Sequence, residues 1–269
     1  MTDPAASQDS GLTVQNPRAR RLSKAELRER VLSAGATLLA EAGVTVSLYH
    51  LNMEELIRRV GVPRSSAFAA FGGKEELVTE LMVQLLRPPA GDPVGFSPAT
   101  VAVAEQVLER YGDRVTRADG SRDPDGAYAV LREAIRVTLR QNVEETAESA
   151  EWQTFLALAA SLPSLPPARR ERVAEALRAA EAQFTEAMTE FYSVSFARLG
   201  RAPRDGVQWH QVVTAGASIV EGVVSRRRMG SPAAHEIVIA PGIDGEPVEW
   251  TLAALAYLAV VDGLTVAVE

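Results

Sequence analysis

Apolar residues return every three and four positions along most of this chain, so helix after helix can be marked out from spacing alone. The first runs from Lys24 to Ala42. Ser23 stands as its cap, Glu26 can close a capping box, Leu22 and Leu27 occupy staple positions, and Gly43 ends it. The same grammar recurs for a helix from Met53 to Val60, with Asn52 as cap, Glu55 as box partner, Leu51 and Leu56 as staple and Gly61 as terminator. Met53, Leu56, Ile57 and Val60 give that helix one apolar face, so Glu54, Glu55, Arg58 and Arg59 point outward. A third short helix, Arg64 to Phe71, follows a Gly-Val-Pro turn and offers Ala67, Phe68 and Phe71 for packing across that face. This is the short crossing connection of a helix-turn-helix, and it leaves the other side of the third helix free to enter a major groove.

A fourth helix runs from Lys74 to about Leu86, with Leu77, Leu81 and Leu85 on one stripe, and residues 87–97 then break the chain with three prolines and two glycines. Helical spacing returns from Pro98 to Val115, a polar loop spans Arg117 to Pro124, and further helices cover Asp125 to Val143 and Ser149 to Leu162. The longest, Pro167 to Leu199, carries Val173, Leu177, Ala180, Phe184, Met188 and Phe191 as a continuous stripe and would extend on the order of 50 Å. Two segments near the end differ. One presents Trp209, Val212, Val213, Gly216, Ile219, Val220 and Val223 as a wide apolar face; the other, Pro247 to Gly263, is apolar almost all round. Between them, residues 236–250 with the Asp244-Gly245 turn read as a short β-hairpin or an ordered loop. The expected fold is all-α: an N-terminal three-helix helix-turn-helix domain over 23–73 and a larger helical domain over 74–269, preceded by a disordered basic arm over 1–22.

Residues 24–77 resemble the DNA-binding domain of the TetR family of bacterial transcriptional regulators. The matching residues are Arg30-Val31-Leu32, Ala40-Glu41-Ala42-Gly43, Gly61-Val62 and Phe71-Gly72-Gly73-Lys74-Glu75-Glu76-Leu77. The resemblance implies that Arg64, Ser65, Ser66, Phe68 and Ala69 face the groove, that Lys74 sits on a phosphate and that Asn52 belongs to the DNA-binding residues. Arg64 is the one residue there able to make a bidentate contact to guanine. It also implies a body that encloses an apolar or amphipathic small-molecule effector, for which Tyr128, Trp152, Phe155, Phe184, Met188 and Phe191 are the candidate lining. The last two helices of such proteins form a four-helix dimer interface, which points to Trp209, Val213, Val220, Trp250, Leu255 and Leu258. A homodimer is what a head reading a palindromic operator needs.

Charge sharpens this reading. Residues 18–64 hold nine Arg or Lys against five Asp or Glu, a surplus of four, which leaves −11 for the remainder of a chain whose net charge is −7. An acidic body with a locally positive head turns the head toward phosphates. Arg18, Arg20 and Arg21 follow a Ser, Asp, Ala and Pro-rich tail and form a basic arm that could enter the minor groove. Arg226, Arg227 and Arg228 close a helix, where cations complement its dipole.

The chain has no cysteine, which removes disulfides and thiolate chemistry, and together with the lack of a signal-peptide pattern leads to a reducing, cytoplasmic setting. Glu249 and Asp262 bracket only twelve uncharged residues, too few for the roughly twenty of a membrane span. His50, His210 and His235 share no ligand spacing, no nucleophile elbow or phosphate loop occurs, and no metal, cofactor or enzymatic activity is expected. A ligand-released repressor is the first reading. The alternative is an all-α small-molecule-binding or interaction dimer that has lost sequence-specific DNA binding, motivated by the alanine-rich third helix and by Glu54.

Overall fold

The computed structural model describes residues 22–42, 53–87 and 97–268, and it is all-α apart from four short strands. The head comprises α1 (Lys24–Ala42), α2 (Met53–Val60), α3 (Arg64–Phe71) and α4 (Lys74–Leu85). The capping box forms as the spacing predicts: the Ser23 amide donates to Glu26 Oε2 at 2.8 Å and the Glu26 amide donates to Ser23 Oγ at 3.2 Å. Gly43, Leu51 and Asn52 lie outside the described residues, as do Arg18, Arg20, Arg21 and His50. Val31, Leu56, Val60, Ala67, Phe71, Leu77 and Leu81 close a small core. Gly35 lets α1 approach α4, since a Cβ there would meet Leu81 Cδ2 at 2.5 Å.

Arg28 ties the head together. Its guanidinium lies 4.6 Å from the centre of the Phe71 ring, donates to the Ala70 carbonyl at 2.8 Å and pairs with Glu80. One side chain of α1 thereby satisfies the end of α3 and a carboxylate of α4, fixing how the three helices cross.

The body begins with α5 (Pro98–Tyr111), a 3₁₀ turn (Gly112–Val115) and α6 (Pro124–Glu148). Ser97 and Asp123 cap the two helices with proline at their first positions, where the missing amide costs nothing. Helix α6 runs five residues past Val143 because Glu145 has partners: it accepts from Ser97 Oγ at 2.5 Å, Thr100 Oγ1 at 2.6 Å and Gln141 Nε2 at 2.8 Å. Helices α7 (Ala150–Ser161) and α8 (Pro167–Arg198) follow, the latter about 48 Å long at 1.5 Å per residue.

The C-terminal part departs most from expectation. Strand β1 (Arg201–Pro203) precedes α9 (Trp209–Arg228); β2 (Ile237–Pro241) and β3 (Pro247–Thr251) form the hairpin; α10 (Leu252–Leu264) and β4 (Thr265–Ala267) end the described chain. Strands β1 and β4 pair antiparallel, Arg201 opposite Ala267, a contact no local signal announced. The apolar run from Pro247 is not one helix. Its first five residues pair as β3 with β2, Val238 opposite Trp250, and Thr251 caps α10 by accepting from the Ala254 amide at 3.2 Å. Arginines pin the hairpin to the body: Arg114 donates to the Ile243 carbonyl and pairs with Asp244, while Arg136 and Arg140 reach the Glu249 carbonyl and carboxylate at 3.3 Å and 3.1 Å.

The main core joins α5, α6, α8, α9, β3 and α10 through Val107, Val130, Val143, Phe196, Val212, Val224, Trp250 and Tyr257, all buried. Val213, Val220 and Trp250, expected at a dimer interface, therefore lie inside the single chain. The apolar faces of α9 and β3 pack against α6 and α10 of the same chain. Trp209 packs against Phe196, ring centres 5.1 Å apart, and Leu255 and Leu258 are half-buried. The outward side of α10 still shows Leu252, Leu255, Ala256 and Ala259 at helical spacing, with Leu252 42% exposed.

Candidate functional site

Two places on the molecule carry candidate chemistry, and α4 joins them. On the head, Arg64, Ser65, Ser66 and Ala69 of α3 and Lys74 at the start of α4 are exposed on the outer surface. The inner side of α3, Ala67, Ala70 and Phe71, is buried. Phe68 is half-buried against the head core, with the Arg64 guanidinium 5.3 Å from its ring centre, so Phe68 shelves the arginine. Gly72, at φ 84°, ends α3, and its amide bonds back to the Phe68 carbonyl; this left-handed residue frees Gly73 and Lys74 to start α4. On α2, Glu55 pairs with Arg58 and, at 3.2 Å, with Arg59, which reduces the free positive charge of that face.

In the body, α7, α8 and α9 enclose a cleft of about 390 Å³. Trp152 and Phe155 form one wall, stacked with ring centres 5.4 Å apart and planes 9° from parallel, and Phe184 tilts against Trp152 at 6.5 Å. Below it lies a much smaller cavity, about 30 Å³, whose lining includes Asn142, Thr146, Met188, Tyr192 and Tyr257; Trp152, Phe184 and Ala217 line both spaces. The structure thus brings together four of the six expected pocket residues, Trp152, Phe155, Phe184 and Met188. Phe191 lines a separate space of about 220 Å³ between α5, α6 and α8. Tyr128 borders none of these cavities: its hydroxyl donates to Asp262 at 2.8 Å, and Arg201 lies 5.7 Å from its ring centre. A tyrosine early in α6 faces α10, whereas the cleft opens beyond the helix's far end.

Burial governs the ionisable groups. It pushes the Tyr192 hydroxyl up to about 12 and that of Tyr257 well above its usual value. These two hydroxyls interact, but Tyr257's makes no hydrogen bond of normal geometry. Glu221, half-buried on α9, is raised by desolvation and by the like charge of Glu181. Spacing had singled out neither glutamate, since a charge on a helix is usually a solvated face and these two meet only when α8 and α9 pack.

Helix α4 connects the two places. Its Leu77 and Leu81 belong to the head core, whereas Met82 and Leu86 pack with Leu158, Leu165, Val173 and Leu177 of the body. Glu75 and Glu76 pair with Arg169, at 3.2 Å, and with Arg172 at the start of α8. Phe155, Ala159, Leu162 and Leu177 have two roles: they line the cleft and also pack in the cluster that seats α4.

Among the described residues no group of His, Asp and Glu could hold a metal ion, and no helix is long and apolar enough to cross a membrane. Arg226, Arg227 and Arg228 donate to the carbonyls of Gly222, Ala234 and Ala147, so they complete backbone bonding at the end of α9 and beside α6.

No family model and no curated protein matches the chain. Solved structures do. A TetR family protein from Vibrio parahaemolyticus is 15% identical over 89% of this chain and 98% of its own, with a TM-score of 0.44. NemR from E. coli, in its reduced form, is 12% identical over 90% and 98%, with a TM-score of 0.45. A TetR transcription regulator from Haloarcula marismortui is 12% identical over 90% and 100%, with a TM-score of 0.40.

Proposed function

We propose that this chain is a DNA-binding transcriptional regulator of the TetR type, acting as a homodimer and released from a palindromic operator by a small apolar or amphipathic ligand. The observation that carries the reading is the double duty of Phe155, Ala159, Leu162 and Leu177, which line a ligand-sized cleft and also seat the helix that bears the head. A ligand that moves this wall moves the seat of α4. Because α4 shares Leu77 and Leu81 with the head core, α3 moves with it. Two heads held by one operator would turn a small displacement into lost affinity, provided the ligand binds the two states unequally.

What supports DNA contact is the exposure of Arg64, Ser65, Ser66 and Ala69 on α3 and of Lys74 at the start of α4, with Phe68 half-buried behind Arg64 as its shelf. Asn52 and the arm residues Arg18, Arg20 and Arg21 belong to the same proposal by their place in the sequence. The uncovered stripe of Leu252, Leu255, Ala256 and Ala259 on α10 supports dimerisation, since small side chains allow a second helix to approach closely. Trp209, half-buried against Phe196, keeps part of its ring exposed and belongs to the same proposal.

The test is selection from random genomic fragments by the full-length protein at two salt concentrations. Enrichment of one palindrome, weakened as salt rises, is expected. Arg64→Ala should weaken the selected complex by about 1–3 kcal/mol and relax preference at one base position. Absence of retention even at low salt would instead favour a ligand-binding dimer without DNA specificity.

A further inference from the structure

We infer that the cleft between α7, α8 and α9 takes an organic cation with an aromatic or apolar body, its charge held between Glu181 and Glu221 and its body laid against Trp152, Phe155 and Phe184. This rests on the ligand-responsive reading above and supplies the chemical class of the ligand.

Charge balance in the cleft comes first. Glu181 enters from α8 and Glu221 from α9, and among the described residues neither forms a hydrogen bond or an ion pair. The one cation in the lining, Arg178, is already held by Glu171 at 2.7 Å. The other polar groups facing the space are Thr185 of α8 and Thr214 and Ser218 of α9, all neutral, and α7 contributes no charge. Two carboxylates therefore face the cleft without an ion-pair partner, Glu221 half-buried and Glu181 exposed, and the like charge of Glu181 adds to the cost of ionising Glu221. A ligand cation placed between them removes that repulsion. An anion would add to it.

The aromatic wall gives the second, independent part. Trp152 is 7% exposed, it lines both the cleft and the cavity beneath, and its indole N–H is buried with no acceptor among the described residues. A buried donor left unbonded is costly, so this N–H is a place for a water bound beside the ligand, or for an acceptor on the body of a larger one, and it does not itself choose between charges. The stacked faces of Trp152 and Phe155 suit a flat apolar body and attract a positive charge through their ring quadrupoles. A space of about 390 Å³ is enough for a molecule of a dozen or more heavy atoms.

Three probes of one shape separate the possibilities in titration calorimetry on the full-length protein: 4-phenylbutyltrimethylammonium, 4-phenylbutanol and 4-phenylbutanoate. The cation should bind at least roughly ten-fold more tightly than either partner. Its affinity should fall as pH drops, because Glu221 takes up a proton at a higher pH than an ordinary carboxyl. Glu181→Gln and Glu221→Gln should each cost several-fold, and the double variant should bind cation and alcohol alike while unfolding no earlier than the parent. Equal binding of all three probes, tighter binding of the carboxylate, no binding of the cation at millimolar concentration, or a double variant that keeps the preference would each overturn the assignment.

Operator retention measured with the same probes separates this inference from the reading it rests on. Cation binding that the double variant loses, with retention untouched, upholds the ligand class and sinks ligand release. Release by the alcohol as readily as by the cation upholds release and sinks the ligand class.

Discussion

At the scale of single residues, close approaches decide more than charges do. Gly126 sits in the first turn of α6 under the 3₁₀ turn, and a Cβ there would stand 1.8 Å from the Arg114 carbonyl oxygen. Gly126→Ala gains at most ~1 kcal/mol of helix propensity. The backbone clash costs more, at the upper end of about 1–3 kcal/mol for overpacking. The variant should therefore be less stable by roughly 2 kcal/mol in denaturant unfolding, against the usual direction for Gly→Ala in a helix. Nothing in the spacing of α6 announces this, because the Arg114 carbonyl arrives from a neighbouring turn. The Ser23–Glu26 box was legible for the opposite reason: both partners lie within four residues, so the sequence already holds the whole interaction.

At the scale of elements, the Glu145 cluster fixes the start of α5 against the end of α6. Burial works against its charge, but hydrogen bonds from Ser97, Thr100 and Gln141 prevail and hold the carboxyl below its usual 4.5. A depressed folded-state pKa contributes stability that is complete above the unfolded value and is lost as pH falls through the folded one. Glu145→Gln should accordingly lose stability relative to the parent at neutral pH, and the gap should close as unfolding is followed from pH 5 downward.

The strands show where element reading ran out. A short stretch such as Pro247-Val248-Glu249-Trp250-Thr251 fits a strand or the first turn of a helix equally, and pairing with β2 decided for β3. Strands β1 and β4, three residues each and more than sixty apart, had no local period to read. The pocket was half legible. Trp152, Phe155, Phe184 and Met188 share two helices with helical spacing, whereas Glu181 and Glu221 acquire meaning only from the packing of α8 on α9.

For the whole molecule, α8 is the long member that touches both the α4 seat and the cleft. Leu177 is 5% exposed and belongs to both. Leu177→Ala should cost about 2–4 kcal/mol in thermal or denaturant unfolding. In the proposed regulator it should also blunt the effect of ligand on operator retention more than it weakens DNA binding without ligand. By contrast, Arg172→Gln should barely move the unfolding midpoint, because a half-exposed pair contributes under about 1 kcal/mol.

The β2–β3 ribbon has a practical corollary for anyone handling the protein. Ile237, Val238 and Ile239 are 43%, 46% and 64% exposed, and among the described residues β2 bonds to β3 on one side only. Such a rim is a template on which strands from other molecules can add. Ile239→Lys, which touches no core contact, should raise the concentration at which turbidity begins while leaving the melting curve in place.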